Sequence, residues 1–242
     1  MKSLIKLSVW LVGVGTLISS CASPYYYQVA HIKSVDKGVI KQNGSLQKMA
    51  DDILLSYDFW EEYGRVAFKV TNNSNRDMVI YMDKSFFIRN GMAYDYYSGD
   101  LKTIHPIKMT VPSKSSRIIN HYEIANFMYR SCDLYLYNFS KLGQDSINFE
   151  KEASPLKFET RLQYSYDDSD KLYRLDSEFY VDYIINMKDK KFRKQVEVIS
   201  KCPDESIYSS TKPLREWIYQ VKACDKYYII YDKETYYGWP KH

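Results

Sequence analysis

The sequence predicts an all-β protein, an antiparallel β-sandwich of immunoglobulin-like architecture with at most one or two short helices. Three observations predict this fold class. About a dozen segments alternate between apolar and polar residues with the period of two that is typical of half-buried strands. Clusters of turn-forming residues separate these segments at fairly regular intervals. Helical spacing of apolar residues is rare, and it is clearest in Leu214–Lys222, which follows a proline.

The segment Arg65–Tyr97 carries the clearest strand pattern of the chain. In Arg65–Asn72 the side chains alternate in character, which indicates an antiparallel strand with one buried face. Six turn formers follow that strand. Met78–Met82 is apolar on both faces and is therefore predicted to be a central strand.

A hairpin is predicted around Asn90-Gly91, because this dipeptide favours a two-residue turn between antiparallel strands. Such a turn places Arg89 opposite Met92 and Phe87 opposite Tyr94. Large apolar side chains then occupy both faces. We expect this hairpin to lie in a two-layer core rather than to form a binding surface.

Upstream of Arg65, the alternation predicts strands over Tyr25–Lys33 and Ile53–Trp60. The polar segment Asp36–Ser45 predicts a turn region. Leu46–Asp52 is interpreted as a single helical turn.

Downstream, strands are predicted over Leu156–Tyr166, Phe179–Met187 and Tyr227–Asp232. The proline- and serine-containing segment Ser98–Ser116 predicts mainly loop. The polar stretch 140–155 is where a sub-domain boundary would fall.

The first residues of the chain have the features of an export signal. Lys2 and Lys6 precede the apolar stretch Leu7–Ile18, which is too short to span a bilayer comfortably. The tetrapeptide Ile18-Ser19-Ser20-Cys21 resembles the lipobox of bacterial lipoproteins. This resemblance implies a signal peptide over residues 1–20, lipidation of Cys21 and a mature unit over 21–242. The alternative is an ordinary secretory signal with a chance cysteine.

The lipoprotein resemblance also bears on localisation. In that class an Asp directly after the lipidated cysteine commonly retains the protein in the inner membrane, whereas here the residue is Ala22. An acidic run that marks some surface lipoproteins does not follow Cys21. The resemblance therefore implies an outer-membrane protein of the cell envelope that faces the periplasm.

Three further cysteines, Cys132, Cys202 and Cys224, lie in the mature chain. An oxidising compartment permits a disulfide, and three thiols allow three pairings. We favour Cys202 with Cys224, because the segment between them contains prolines and forms a plausible closed loop.

Composition and motifs exclude several classes of function. The sequence has no CxxC pair and its four histidines are dispersed, so no metal and no cofactor is predicted. Nucleophile-elbow and phosphate-binding motifs do not occur in the sequence. The adjacent acids Asp51-Asp52, Glu61-Glu62 and Asp167-Asp168 are more typical of solvated turns than of a glycosidase pair. The nearly balanced charge of the mature chain predicts no nucleic-acid binding.

Tyrosine is the most abundant aromatic residue, with 25 copies. Tyr236, Tyr237 and Trp239 could form a platform for a sugar or a protein partner, although packing between sheets explains most tyrosines in such a fold. Asp145-Ser146-Ile147 resembles a short motif that some gut anaerobes O-glycosylate, which makes Ser146 a candidate modification site.

Several longer motifs resemble a family of uncharacterised cell-envelope lipoproteins of Gram-negative gut anaerobes. The matching segments are Tyr57–Trp60, Met82–Ile88, Asn90–Tyr96, Tyr129–Leu134 and Ser154–Phe158. The resemblance implies envelope localisation and a β-sandwich, but no activity. The sequence thus predicts an envelope-anchored, non-enzymatic binding or scaffolding module for another envelope component; the alternative is a glycan-binding or glycan-processing protein.

Overall fold

The structure is a computed structural model that describes residues 25–97, 107–125, 146–167, 169–189, 191–192 and 223–232. These residues are almost entirely β. The strands are β1 (Tyr25–Ser34), β2 (Val39–Gln42), β3 (Ser45–Ala50), β4 (Ile53–Asp58), β5 (Arg65–Asn72), β6 (Met78–Tyr81), β7 (Phe86–Arg89), β8 (Met92–Asp95), β9 (Lys108–Val111), β10 (Ser115–Glu123), β11 (Ser146–Asn148), β12 (Lys157–Tyr166), β13 (Tyr173–Lys188) and β14 (Lys226–Asp232). A single 3-10 turn, Met82–Lys84, connects β6 to β7.

The strands form two antiparallel sheets. The larger sheet has the order β14-β1-β13-β12-β6-β9, and β7 and β11 pair with β12 and β13 respectively. The smaller sheet has the order β10-β5-β4-β3-β2. Side chains from both sheets meet in one apolar core. This arrangement confirms the predicted all-β, sandwich-like fold class.

Aromatic side chains join the two sheets at the centre of the core. Tyr57 from β4 contacts Phe179 from β13, with ring centroids 5.1 Å apart in an edge-on arrangement. Phe179 in turn stacks on Phe158 of β12 at 5.2 Å. Burying each such ring stabilises the fold by about 1.5–3 kcal/mol. The Tyr57 hydroxyl is hydrogen-bonded to the Thr160 hydroxyl of the opposite sheet at 2.8 Å, and burial raises the pKa of Tyr57 to about 12.

The alternation predicted for β12 is confirmed, and it positions the candidate site. Phe158, Thr160 and Leu162 are buried on the core side of the strand. Since successive side chains of a strand point to opposite faces, Arg161 and Gln163 lie on the outer face of the larger sheet.

The register predicted for the β7–β8 hairpin is also confirmed: Phe87 pairs with Tyr94 and Arg89 with Met92. Asn90 and Gly91 have φ angles of 46° and 82°, as a two-residue hairpin turn requires. The expectation that the hairpin lies within the core holds for Phe87, which is fully buried. It is wrong for β8, whose Met92 is 62% exposed because β8 pairs with β7 alone at the periphery.

Three other predictions are corrected by the structure. Leu46–Asp52 contains strand β3 rather than a helical turn, because β3 pairs along its length with both β2 and β4. The predicted turn region Asp36–Ser45 contains β2, and the predicted loop Ser98–Ser116 contains β9. Both missed strands are short and lie at sheet edges, where polar residues hide the alternation.

Strand β1 has an apolar core on each of its faces. Ala30 and Ile32 belong to the main core, whereas Tyr27 and Val29 pack in a second, smaller cluster with Phe192. The Tyr27 and Phe192 rings stack at 3.9 Å. This explains why Tyr25–Lys33 is apolar over most of its length.

Strands from both sides of the polar stretch 140–155 belong to the larger sheet, since β6 and β7 pair with β12. The sub-domain boundary there stays a prediction.

Candidate functional site

A cleft of about 350 Å³ lies on the outer face of the larger sheet. It forms where β12 changes partners: Phe158–Arg161 pair with β7, and Tyr164–Tyr166 pair with β6. The 3-10 turn occupies the gap between these two pairings. The residues that line the cleft are Asp83, Lys84, Phe86, Arg161, Gln163 and Arg174.

The turn beside the cleft is held by a buried serine. Ser85 donates its hydroxyl to the Tyr81 carbonyl at 2.6 Å. The Ser85 hydroxyl oxygen also accepts a hydrogen bond from the backbone N–H of Gln163, at 3.0 Å. Ser85 thereby replaces the missing strand partner of β12, so the cleft is built on a fixed backbone.

Two guanidinium groups are held on one side of the cleft by neighbouring carboxylates. Arg161 donates Nε and Nη2 to Glu159 at 2.9 and 3.2 Å. Arg174 donates Nε and Nη2 to Asp176 at 2.7 and 2.5 Å. Each guanidinium has five N–H donors, so each retains donors beyond these paired contacts.

Two ammonium groups are gathered at Tyr81, next to the 3-10 turn. The Nζ atoms of Lys84 and Lys108 each lie 5.2 Å from the centroid of the Tyr81 ring. At this distance the ring face attracts a cation. Tyr81 itself is positioned by a hydrogen bond of 3.1 Å between its hydroxyl and that of Ser165.

The guanidinium pair and the ammonium pair differ in how far neighbouring carboxylates neutralise their charge. Glu159 and Asp176 are engaged with the guanidinium groups, whereas no ion pair of Lys84 or Lys108 occurs among the described residues. Asp83 supplies the carboxylate of the cleft lining. Of the two lysines only Lys84 lines the cleft, so the lining combines one ammonium group and two carboxylate-held guanidinium groups with the Asp83 carboxylate. The remaining N–H donors of the guanidinium groups can bind acceptor atoms of a polar ligand.

A second charged cluster joins β1, β13 and the turn that precedes β14. His31 of β1 contacts Asp182 through Nδ1 at 2.5 Å and Asp225 through Nε2 at 3.2 Å. Lys41 donates to the other oxygen of Asp225 at 2.8 Å. We call His31, Asp182 and Asp225 the closure cluster, because β1 pairs with β13 and β14 at this point.

A β-bulge creates the closure cluster. In the β1–β13 ladder His31 pairs with Tyr183 and the next residue, Ile32, pairs with Val181, which leaves Asp182 as the extra residue. Bulges re-aim side chains in this way. On the other side, the Ile32 N–H donates to the Asp225 carbonyl at 2.7 Å and fixes the turn before β14.

The carboxylates of the closure cluster favour the imidazolium form of its histidine. The hydrogen bond to Asp225, followed by that to Asp182, raises the pKa of His31 although burial opposes the shift. Burial also opposes the shift of Asp225, yet the hydrogen bonds from His31 and Lys41 lower its pKa. Both ring nitrogens are engaged, so the cluster fastens strands together.

Most residues predicted as sites lie outside the described residues: Cys21, Cys132, Cys202, Tyr236, Tyr237 and Trp239. Cys224 is described and is a buried thiol whose pKa burial raises to about 11. Its pairing with Cys202 stays a prediction. Ser146 lies half-buried at the start of β11, and its glycosylation likewise stays a prediction.

The cleft residues were not identified from the sequence. The alternation of β12 does predict that Arg161 faces away from the core. However, nothing in the sequence indicates that Arg174 pairs opposite Gln163, or that Lys84 lies beside them. The predicted preference for surfaces outside Arg65–Tyr97 also misses Lys84 and Phe86, because the 3-10 turn brings this part of the hairpin segment to the outer face.

Comparison of the chain with protein-family models, curated proteins and solved structures finds no match. The resemblance to envelope lipoproteins therefore stays a prediction. Across the described ranges, three or more His, Cys, Asp or Glu side chains do not assemble into a group that could hold a metal ion. Within the part of the chain that the structure describes, no helix has the length and apolar character needed to cross a membrane.

Proposed function

We propose that the chain is a lipid-anchored protein of the cell envelope whose β-sandwich is a non-enzymatic binding or scaffolding module. The anchor is Cys21, which tethers the protein to the outer membrane on the side that faces the periplasm. The observation that carries the binding role is the outer-face cleft, where cations and a half-buried phenylalanine are presented on paired strands. Rigid placement of donors lowers the cost of ordering them around a ligand.

The anchor rests on the N-terminal pattern, an apolar stretch that ends in Ile18-Ser19-Ser20-Cys21. Each buried methylene of an acyl chain contributes about 0.8 kcal/mol to membrane binding, so several chains on Cys21 hold the protein firmly. Strand β1 begins at Tyr25, four residues further on, which spans at most about 14 Å. The sandwich would then sit close to the bilayer.

The anchoring is tested by expressing the whole chain in a Gram-negative host and separating membranes from soluble periplasmic protein. We expect the wild type in the outer-membrane fraction with the mass of acyl chains on Cys21, and Cys21→Ser in the soluble fraction. Equal membrane association of Cys21→Ser would contradict the proposal.

The binding role is tested by cross-linking the lipidated protein in intact envelopes and recovering it with its partners. We expect a specific envelope component that Lys84→Gln/Arg174→Gln, which removes two of the cations lining the cleft, no longer recovers. Recovery of no partner would count against a binding or scaffolding role.

A glycan-directed role is the alternative. It is favoured by the Phe86 ring and the Gln163 amide, which both line the cleft, since sugars bind to aromatic faces and polar side chains together. Glycan hydrolysis would in addition require two carboxylates about 5–9.5 Å apart. Release of reducing ends from envelope or dietary polysaccharide by the purified protein would establish the enzymatic form.

A further inference from the structure

We propose that the Asn43-Gly44 turn is a site of spontaneous covalent modification, at which the Asn43 amide becomes a carboxylate through a cyclic imide. This inference goes beyond the proposed function, because it concerns the smaller sheet and requires no partner other than water. The sequence contains two Asn-Gly pairs, at 43–44 and 90–91, and each forms the two-residue turn of a hairpin. The difference between these two turns carries the proposal.

The reaction needs only the turn and water. The backbone nitrogen of Gly44 attacks Cγ of Asn43, and the new N–Cγ bond forms while the bond from Cγ to Nδ2 breaks. Nδ2 leaves as ammonia and takes up the equivalent of the proton that the Gly44 N–H loses. Water then opens the imide at either carbonyl, which leaves aspartate or isoaspartate at position 43. Glycine permits the attack best, because it has no Cβ to shield its nitrogen.

The Asn43 side chain is free to react. Asn43 and Gly44 are both exposed, and a Cβ on Gly44 would meet no atom within 4 Å, so no neighbouring element crowds the turn. Among the described residues the Asn43 side chain makes no hydrogen bond. The hydrogen bonds at this tip belong to its neighbours, since Ser45 and Gln47 both donate to the Gln42 carbonyl. The Asn43 amide can therefore rotate towards the Gly44 nitrogen.

The Asn90 side chain, by contrast, is held although it is also exposed. Its Oδ1 accepts the Lys157 N–H at 2.8 Å, and its Nδ2 donates to the Pro155 carbonyl at 3.2 Å. Both partners lie at or just before the start of β12, so the amide is fastened to a second element of the fold. Attack by the Gly91 nitrogen would first have to break both hydrogen bonds, which raises the barrier to ring closure.

Strand β2 can open locally and so allow the turn at Asn43 to change its conformation. β2 is the edge strand of the smaller sheet, and three of its four residues are exposed. Such edges open at low cost compared with strands in the core. Local opening lets Asn43 leave its φ of 49° and sample the backbone angles that ring closure needs.

Isoaspartate at position 43 would disturb the hairpin, because it adds one methylene to the backbone of a two-residue loop. The pairing of Gln42 with Ser45 closes this loop and sets the register of β2. Lys41, the next residue of β2, donates to Asp225 of the closure cluster at 2.8 Å. We therefore expect the isoaspartate form to lose the pairing of β2 and its tie to the closure cluster.

Ageing of the purified, folded whole chain at mildly alkaline pH tests the modification. Mass spectrometry of peptides follows the mass gain of amide to acid at Asn43 and at Asn90, and fragmentation identifies isoaspartate. We expect Asn43 to convert at least about tenfold faster than Asn90, which is the factor that two hydrogen bonds to the Asn90 amide can supply. Equal rates at the two positions in the folded protein would overturn the proposal.

The same chain unfolded in urea is the matched control. Unfolding removes the hydrogen bonds of Asn90 and leaves both Asn-Gly pairs in open chain, so their rates should then agree within about twofold. A rate ratio that persists in urea would show that the neighbouring sequence, and not the fold, protects Asn90.

Amide hydrogen exchange tests the effect on β2. Freshly prepared Asn43→Asp carries the new charge without the extra methylene, and Asp-Gly also favours this turn, so its exchange in β2 should stay within about twofold of unmodified wild type. In the isoaspartate form the exchange of β2 should quicken at least about tenfold. Unchanged exchange in the isoaspartate form, or an equal change in Asn43→Asp, would contradict the expected loss of β2 through the added methylene.

Discussion

The β7–β8 hairpin and the closure cluster are specified in different ways. The hairpin is set by adjacent residues, because Asn90-Gly91 determines the turn and the turn determines the register. The closure cluster brings together His31 with Asp182 and Asp225, which are 151 and 194 residues away along the chain. The hairpin, as a local unit, tolerates change in the rest of the fold. The closure cluster, by contrast, exists only when the strands of the larger sheet have paired correctly.

This difference predicts that substitutions near the closure cluster lower global stability and that those in the hairpin act locally. The largest effect is expected for Gly64→Ala. Gly64 has a φ of +70°, and a Cβ there would lie 2.9 Å from both Ile124 Cδ1 and Tyr227 Cγ. Tyr227 belongs to β14 and follows Asp225 by two residues, so the clash displaces the start of β14 and the turn that holds Asp225. Strain and overpacking together should cost about 2–4 kcal/mol of unfolding free energy, measured by urea denaturation.

Gly91→Ala in the hairpin is the matched control. Its φ of +82° is similarly strained for alanine, but a Cβ would meet no atom within 4 Å. It should cost about 1–2 kcal/mol. Equal losses at the two glycines would mean that contact with Tyr227 is unimportant and would break the comparison.

The second effect is expected for Asp225→Asn, which removes the charge that His31 and Lys41 share. Hydrogen bonds to charged groups stabilise proteins by about 1.5–3 kcal/mol each, and partial solvent exposure reduces this, so we expect a loss of about 1–3 kcal/mol at neutral pH. Urea denaturation measures it. Asp52→Asn, at an exposed turn carboxylate, is the control and should change little. A loss no larger than that of Asp52→Asn would show that the cluster does not hold the sheet together.

The hairpin was predictable from the sequence and the closure cluster was not, for a physical reason. Alternation and turn chemistry act over a few residues, so β5, β7, β12 and the Phe87–Tyr94 register follow from them. The bulge at Asp182 shifts pairing by one residue, and no local signal marks it. Similarly, the outward position of Arg161 follows from alternation, but its neighbour Arg174 follows only from the long-range pairing of β12 with β13.

A smaller effect is the pH dependence of stability. Because the folded-state pKa of His31 is raised above 6.5, its contribution is complete below pH 6.5 and is lost as the pH rises through the raised pKa. The pKa of Asp225 is lowered below 3.8, so its contribution is complete above pH 3.8 and is lost as the pH falls through the lowered pKa. We therefore expect the stability difference between wild type and His31→Gln to be largest between these pH values and to shrink toward alkaline pH.

Denaturation of the two proteins over a series of pH values measures this difference. A wild-type advantage that grows on going from pH 6 to alkaline pH would contradict the charged form assigned to His31. Asp52→Asn should follow the wild-type curve throughout.

The smallest effect is expected for Asn90→Gly, which keeps a residue tolerant of positive φ but removes the side chain. Asn90 accepts the Lys157 N–H through Oδ1 at 2.8 Å and donates Nδ2 to the Pro155 carbonyl at 3.2 Å, both at exposed positions. The loss should be about 0.5–1 kcal/mol. Amide hydrogen exchange should quicken at β7 and β8 and not at β14, because the hairpin opens without the sheet. The His31 titration, followed by NMR, should be unchanged; a shift in it would mean that the hairpin and the closure cluster form one cooperative unit.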